Sequence, residues 1–318
     1  MGRTEEITRI RAALSRRLAL VLTAAAALAL AGPVAAGAPL RVVATTTDLR
    51  SLVEAVGGDR IAATSIVPPG RDPEDYQPRP QDLQRLKDAA LVIRVGVDYD
   101  LWLDRLLAQT GNAALARGGE RYLDASRAIT LLDVRGTAVG PGHPHGSGNP
   151  HYWLDPANAE IITGTLLEAL LRLDGANAPY YERRRLAFLE ELGSRQQAWS
   201  RALAPLQGAP MIAYHNNWAY FARRFRLNFA GYIEAKPGVP PSPAHLAGLL
   251  SSMRAQGVKV IVRQPNEPEK NTRFLAERAG ARVVTLAASV GSVADANSYL
   301  SLFEHNVAVL ARGHAGMP

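Results

Sequence analysis

The chain has 318 residues, enough for two lobes with a core each, and its 47% hydrophobic and 20% charged residues describe a globular rather than a disordered protein. The formal charge is +7, but Arg3 to Arg17 carry a net +3 of it, and the other basic residues are scattered among acids, which excludes a nucleic-acid footprint. There is no cysteine, which excludes disulfides, thiolate metal sites and a lipid-modified N-terminal cysteine.

Basic residues ending at Arg16-Arg17, an apolar run from Leu18 to Ala31 and the small residues Val34-Ala35-Ala36 follow the order of a secretory signal peptide over residues 1–36, cleaved near Ala36. The run is short for a bilayer span and no other stretch is apolar enough to cross one. The expected product is an exported, soluble, monomeric protein of the periplasm.

Leu40 to Thr46 is rich in β-branched residues and reads as a buried parallel strand. Asp48 is placed to cap a helix that ends at Gly57-Gly58. A strand over Ile61–Val67 leads into a Pro/Gly-rich loop, Pro68 to Pro80, then a short helix from Gln81, a strand over Ala90–Val95 and a helix around Leu101–Leu107. Strand alternating with helix predicts an open, mostly parallel sheet flanked by helices.

Gly140 to Gly148 is Gly/Pro-rich and carries His143 and His145, which are expected to capture metal weakly on a loop. His151 differs, because Pro150 and Pro156 stiffen its segment and Tyr152, Trp153 and Leu154 clamp it. A helix over Ala157–Leu173 follows, then a long amphipathic helix from Ala178 to Leu206. Its Tyr181, Phe188, Leu192, Trp199 and Leu203 fall on one stripe.

Beyond it the α/β rhythm resumes. Strands are expected at Pro210–Tyr214, Leu227–Ile233, Val258–Val262 and Ala281–Leu286, and helices at Asn217–Phe225, Pro243–Gln256, Pro268–Ala279 and Asn297–Ala311. The predicted fold is therefore α/β: two lobes (39–177 and 208–318), each a mostly parallel sheet flanked by helices, joined by one long rigid helix (178–207). No tandem repeat is visible in the sequence.

Ligands of open α/β sheets bind beyond the carboxyl ends of the strands. His215 directly follows the strand Met211 to Tyr214, Glu74 lies in the loop after the second strand, and His151 closes the first half. A crevice between the lobes would gather these three as metal ligands, neutral imidazole being a common ligand of transition metals. His245 and His305 fall in predicted helices and His314 in the tail, and none of them is given a role.

These residues, with Val56-Gly57-Gly58-Asp59-Arg60, Gly70…Asp72-Pro73, His151-Tyr152-Trp153-Leu154-Asp155-Pro156 and Asn297-Ser298-Tyr299, make the mature chain resemble the substrate-binding proteins of zinc and manganese ABC importers. The resemblance implies one metal held between two lobes and delivered to an inner-membrane permease driven by a cytoplasmic ATPase. It also exposes departures. The family usually has His where this chain has Glu74, a carboxylate where it has Ala287, and often Glu where it has Gln264. Glu234, Glu267 or water would fill the fourth position. Two imidazoles suit Zn²⁺, whereas a set richer in carboxylate would favour Mn²⁺. An exported metallohydrolase and a binder of a metal chelate are the competing functions.

Overall fold

Among the described residues, eight short strands form two separate four-stranded sheets in which every pairing is parallel. The structure is a computed structural model, and it describes residues 38–133, 148–235 and 239–316. The proposed leader and the loop histidines His143 and His145 lie outside the described residues. The chain divides into Met1–Pro39 and Leu40–Pro318, and the second unit holds both sheets.

The first sheet comprises β1 (Leu40–Ala44), β2 (Ile61–Ser65), β3 (Leu91–Arg94) and β4 (Tyr122–Asp124) in the order β2-β1-β3-β4. The second comprises β5 (Pro210–Ala213), β6 (Asn228–Tyr232), β7 (Val260–Arg263) and β8 (Arg282–Thr285) in the order β6-β5-β7-β8. The two halves thus repeat one topology without repeating sequence. β4 escapes sequence reading because three residues, of which only Leu123 is aliphatic, carry no periodic signal.

Parallel sheets need both faces covered, and the side chains divide accordingly. In β1, Val42 and Ala44 face the central core while Val43 joins an outer cluster with Val92, Trp102 and Leu103. In β5 and β7, Met211, Ala213, Val260 and Val262 face the same central core, while Ile212 and Ile261 face an outer cluster with Leu249 and Met253. One apolar core therefore runs through both halves, and each sheet has a smaller core of its own on the far side.

The helices are α1 (Thr47–Gly57), α2 (Pro80–Lys87), α3 (Trp102–Thr110), α4 (Asn158–Leu173), α5 (Ala178–Leu203), α6 (Ala219–Phe225), α7 (Pro243–Gln256), α8 (Glu269–Ala279) and α9 (Tyr299–Ala315). The expected cap of α1 is corrected: the Thr46 side chain accepts from the Leu49 amide, and Asp48 lies buried in the first turn. α9 runs past the expected end at residue 311, so His314 belongs to its last turn and not to a tail.

α5, 26 residues long, is the link between the sheets, followed by a 3₁₀ turn over Ala204–Leu206. Its buried residues are the predicted stripe of Tyr181, Phe188, Leu192, Trp199 and Leu203. Trp199 stacks on Phe303 of α9 with centroids 5.3 Å apart and donates to Glu304 at 3.0 Å. α9 in turn reaches α1, where the Tyr299 amide donates to Ser51 Oγ at 2.9 Å. A helix packed against α1, α4 and α9 is held along its length, which makes the link stiff.

The turn after β3 is the most strained backbone among the described residues. Gly96, Val97 and Asp98 all have left-handed φ, of 75°, 51° and 60°, and a β-branched residue there is disfavoured. A Cβ on Gly96 would lie 2.3 Å from Asp124 Oδ1, so only glycine fits. Asp100 over-determines the turn: it accepts from the Val95 amide at 2.8 Å, the Gly96 amide at 3.2 Å and Arg94 Nε at 2.8 Å. Arg94 and Asp100 are both buried, and Arg94 also pairs with Asp104 at 2.7 Å, so removing the Asp100 carboxylate leaves the guanidinium one partner but unties the Val95 and Gly96 amides. Asp100→Ala is expected to lower stability by about 1–3 kcal/mol, the cost of leaving buried donors unmatched, read from urea unfolding.

Candidate metal site

Because β1 and β5 are each followed by crossovers to opposite sides, each sheet has a switch point beside its first strand, and the carboxyl end there is where a ligand fits. The two switch points share a cleft of about 620 Å³. Glu74, His151, His215, Glu234 and Glu267, the five candidate ligands of the described residues, all line it. Among the described residues no three His, Asp or Glu side chains lie close enough together to hold an ion as they stand.

Glu74 is positioned by its loop. Its amide donates to Asp72 Oδ1 at 2.9 Å, an Asx turn, and the neighbouring Pro73 carbonyl accepts from Trp102 Nε1 at 2.8 Å. Two residues on, Tyr76 donates to Asp82 at 2.8 Å, and Asp82 also accepts from the Arg79 amide at 2.8 Å, which ties the loop to the start of α2. Asp72 keeps open surface yet lies inside the cleft, and the surrounding protein raises its carboxyl pKa, with Glu74 and Asp75 adding to the effect and His215 opposing it.

His151 is 3% exposed. Its ring meets Tyr99 edge-on at 5.3 Å and Trp153 at 5.3 Å, and its Nδ1 lies 3.1 Å from Asn149 Oδ1. The strained turn after β3 is what delivers Tyr99 to this position, one residue beyond Asp98. Of the expected clamp, Trp153 meets the ring, and Tyr99 supplies the second aromatic contact.

His215 and Glu234 come together through register. Ala213 of β5 pairs with Tyr232 of β6, and two residues past each partner the chain reaches His215 and Glu234. The Glu234 amide continues the ladder to the Tyr214 carbonyl at 2.8 Å, and His215 Nδ1 bonds to Glu234 Oε2. Glu267, in the turn four residues beyond β7, accepts from the Gln264 amide at 2.6 Å and from Gln264 Nε2 at 3.1 Å. Burial pushes Glu267 up to about 7, with His215 opposing and Glu234 reinforcing the shift. Ala287 is fully buried, its amide and carbonyl both bonded to Asn306, so no polar group enters from that position.

Three residues of the site were not singled out from sequence: Tyr99, Asn149 and Asp48. Asn149 had the one readable signal, an Asx residue two before a candidate ligand. Asp48 is 1% exposed and lines the cleft. One of its oxygens accepts from the Val290 amide of the second half at 2.9 Å, while Oδ2 is buried without a hydrogen-bond partner among the described residues. Burial pushes its carboxyl up to about 7, against the lowering effect of that bond.

With this geometry in place, the comparisons with known proteins decide the family. The family described as "Zinc-uptake complex component A periplasmic" matches residues 42–313. The chain belongs to that family. It is 29% identical over 277 residues to the high-affinity zinc uptake system protein ZnuA of Paracoccus denitrificans, covering 80% of this chain and 84% of that protein. It is 24% identical over 285 residues to the manganese ABC transporter substrate-binding lipoprotein PsaA of Streptococcus pneumoniae, covering 86% and 88%. The iron-binding protein YfeA of Yersinia pestis is 24% identical over 300 residues, covering 92% of each. Among solved structures, a zinc-bound deletion variant of ZnuA matches with a TM-score of 0.74 at 26% identity, covering 88% of this chain and all of that one. Family membership makes the chain a metal-binding receptor of ABC importers. His151 and the Trp153-Leu154-Asp155 run that follows it lie within the matched residues.

The two raised acids have a consequence for stability. Asp48 ordinarily titrates near 3.8 and Glu267 near 4.5, so between about pH 4 and about pH 7 the folded chain keeps protons that the unfolded chain has released. Their contribution is fully present below those ordinary values and is lost as pH rises through about 7. The metal-free protein should therefore lose stability over this window in urea unfolding. Asp48→Asn keeps an acceptor for Val290, so it should flatten the fall and leave the variant more stable than the parent above pH 7, by on the order of a few kcal/mol.

Proposed function

We propose that the chain is a periplasmic zinc receptor whose ion is held by Glu74, His151 and His215, with Glu267 or water in the fourth position. The observation that carries this reading is the convergence of those side chains, from three distant parts of the sequence, on one cleft at the two switch points. Two imidazoles with carboxylate suit a tetrahedral zinc site, and the relatives include a zinc-uptake receptor. Manganese is the alternative within the family, favoured to the extent that more carboxylates than Glu74 enter the first shell.

Glu234 takes a different part from the one its position suggested. Bonded to His215 Nδ1, it orients the ring and raises its basicity, as a carboxylate behind a ligating histidine does, and a metal would then be taken at Nε2. On this reading the fourth position falls to Glu267 or to water. Because Glu267 is pushed up to about 7, proton release from it would accompany metal entry near neutral pH. His143 and His145 are read as accessory capture residues. The relatives are transport proteins, and we read the chain as a monomeric receptor for an inner-membrane permease and not as a hydrolase.

Chelator competition tests the ligand set. Glu74→Ala should weaken zinc at least tenfold, about 1.4 kcal/mol, and His215→Ala more. If Glu74→Ala binds as the parent does while His215→Ala fails, Glu74 is only a loop acid. Acid competes with metal for imidazole, so affinity should also fall steeply through the range near ~6.5 where histidine ordinarily protonates. A flat profile would exclude a two-histidine site.

A further inference from the structure

Asn149 is completely buried and uses every polar group it has. Its Oδ1 accepts from the His151 amide at 3.0 Å and faces His151 Nδ1 at 3.1 Å. Its Nδ2 donates to Asp133 Oδ2 and to the Asn216 carbonyl, both at 3.2 Å. Its own amide donates to the Leu132 carbonyl at 2.8 Å, and its carbonyl accepts from the Tyr220 hydroxyl at 2.9 Å. Gly148 allows this close approach: its φ is 127°, and a Cβ there would stand 3.0 Å from the Leu132 carbonyl oxygen.

The partners fix which way the amide faces. Turned over, Nδ2 would meet the His151 N–H, donor against donor, and Oδ1 would meet a carboxylate and a carbonyl, acceptor against acceptor. Only Oδ1 toward His151 satisfies the network. An amide oxygen only accepts, so His151 Nδ1 must carry the proton. The same side chain bonds the carbonyl of Asn216, the residue after His215. An Asx turn alone would engage only the His151 amide. The three further contacts, to His151 Nδ1, Asp133 and the Asn216 carbonyl, give the residue a reach that a turn does not require.

We propose that Asn149 is a positioning residue for metal capture: it holds His151 in the Nδ1–H tautomer, so that metal is taken at Nε2, and it fixes the spacing between the His151 and His215 segments. The inference rests on the reading of His151 and His215 as ligands. Together with Glu234 behind His215, it makes the two imidazoles alike in tautomer but unlike in support, one backed by a neutral amide and the other by a carboxylate. The carboxylate-backed ring is the stronger donor.

The test combines two readouts on the purified protein. Long-range ¹H–¹⁵N NMR of the metal-free form at about pH 8, where an ordinary imidazole is neutral, reads each tautomer. His151 should be Nδ1–H in the parent. Asn149→Ala should move it toward Nε2–H and weaken zinc by roughly 10–100-fold, while the His215 tautomer holds. Asn149→Asp keeps an acceptor for His151 but sets a carboxylate against Asp133, so it should preserve the tautomer and still lose affinity. Adding Asp133→Asn restores a donor opposite the acid and should recover most of that loss. If Asn149→Ala does not fold, this exchange pair decides the question. An Nε2–H His151 in the parent, or Asn149→Ala with tautomer and affinity unchanged, would overturn the proposal, and an exchange pair that recovers nothing would overturn the tie between the segments. A parent that shows Nδ1–H yet binds no zinc would sink the metal reading of the cleft and leave the hold of Asn149 on the tautomer standing.

Discussion

The segment from Asn149 to Asp155 lies between the two halves, and its polar groups are satisfied from both. Asn149 reaches the Asn216 carbonyl, Trp153 donates to the Ala288 carbonyl at 3.0 Å, and the Trp153 carbonyl accepts from Tyr299 at 2.6 Å. Asp155, fully buried, takes a forked pair of bonds from Arg224, one of them at 3.1 Å. A buried donor or acceptor left unmatched costs about 1–3 kcal/mol, so this many pairings are mutually consistent in few arrangements. His151 inherits its position from them. Lose the fit between the halves, and the histidine loses its fixed place.

The same fit explains how a cleft can gather acids without collapsing or flooding. Asp48 and Glu267 have carboxyl pKa values raised chiefly by burial, in a space that also holds Asp72, Glu74 and Glu234. Such a group of carboxylates repels itself at neutral pH, and a divalent cation relieves that repulsion more fully than protons do. On the proposed reading of the cleft, the charge that makes it unfavourable when empty is the charge that would draw the cargo in. For a receptor that must also give its metal up, stability stored in the ion and not in the protein is the useful arrangement.

The support behind each histidine bears on which metal is held. A carboxylate behind His215 makes that ring a better donor, which favours zinc over manganese, whereas Glu74 in place of a third imidazole pulls the other way. On the proposed ligand set, Glu267 would decide the balance: excluded, it would leave two nitrogens and one carboxylate, and admitted, it would make the set half oxygen. The relatives that the chain matches are named for zinc, manganese and iron.

What the sequence determined by itself was everything carried by local pattern. Short apolar runs marked β1, β2, β3, β5, β6, β7 and β8, the stripe from Tyr181 to Leu203 marked the long helix, and the stiffened segment around His151 marked a candidate ligand. Only tertiary structure decided what depends on register and on partners far away in the chain. Glu234 faces His215 because β5 pairs with β6 at Ala213 and Tyr232, a register that no window of sequence contains. Asp48 looked like a cap because capping is a local choice, and it is instead a buried acid because Val290, 242 positions on, supplies its partner. Asn149 reads as a turn residue until its four side-chain contacts are seen together, since a hydrogen-bond network is specified by all its members at once and by none of them alone.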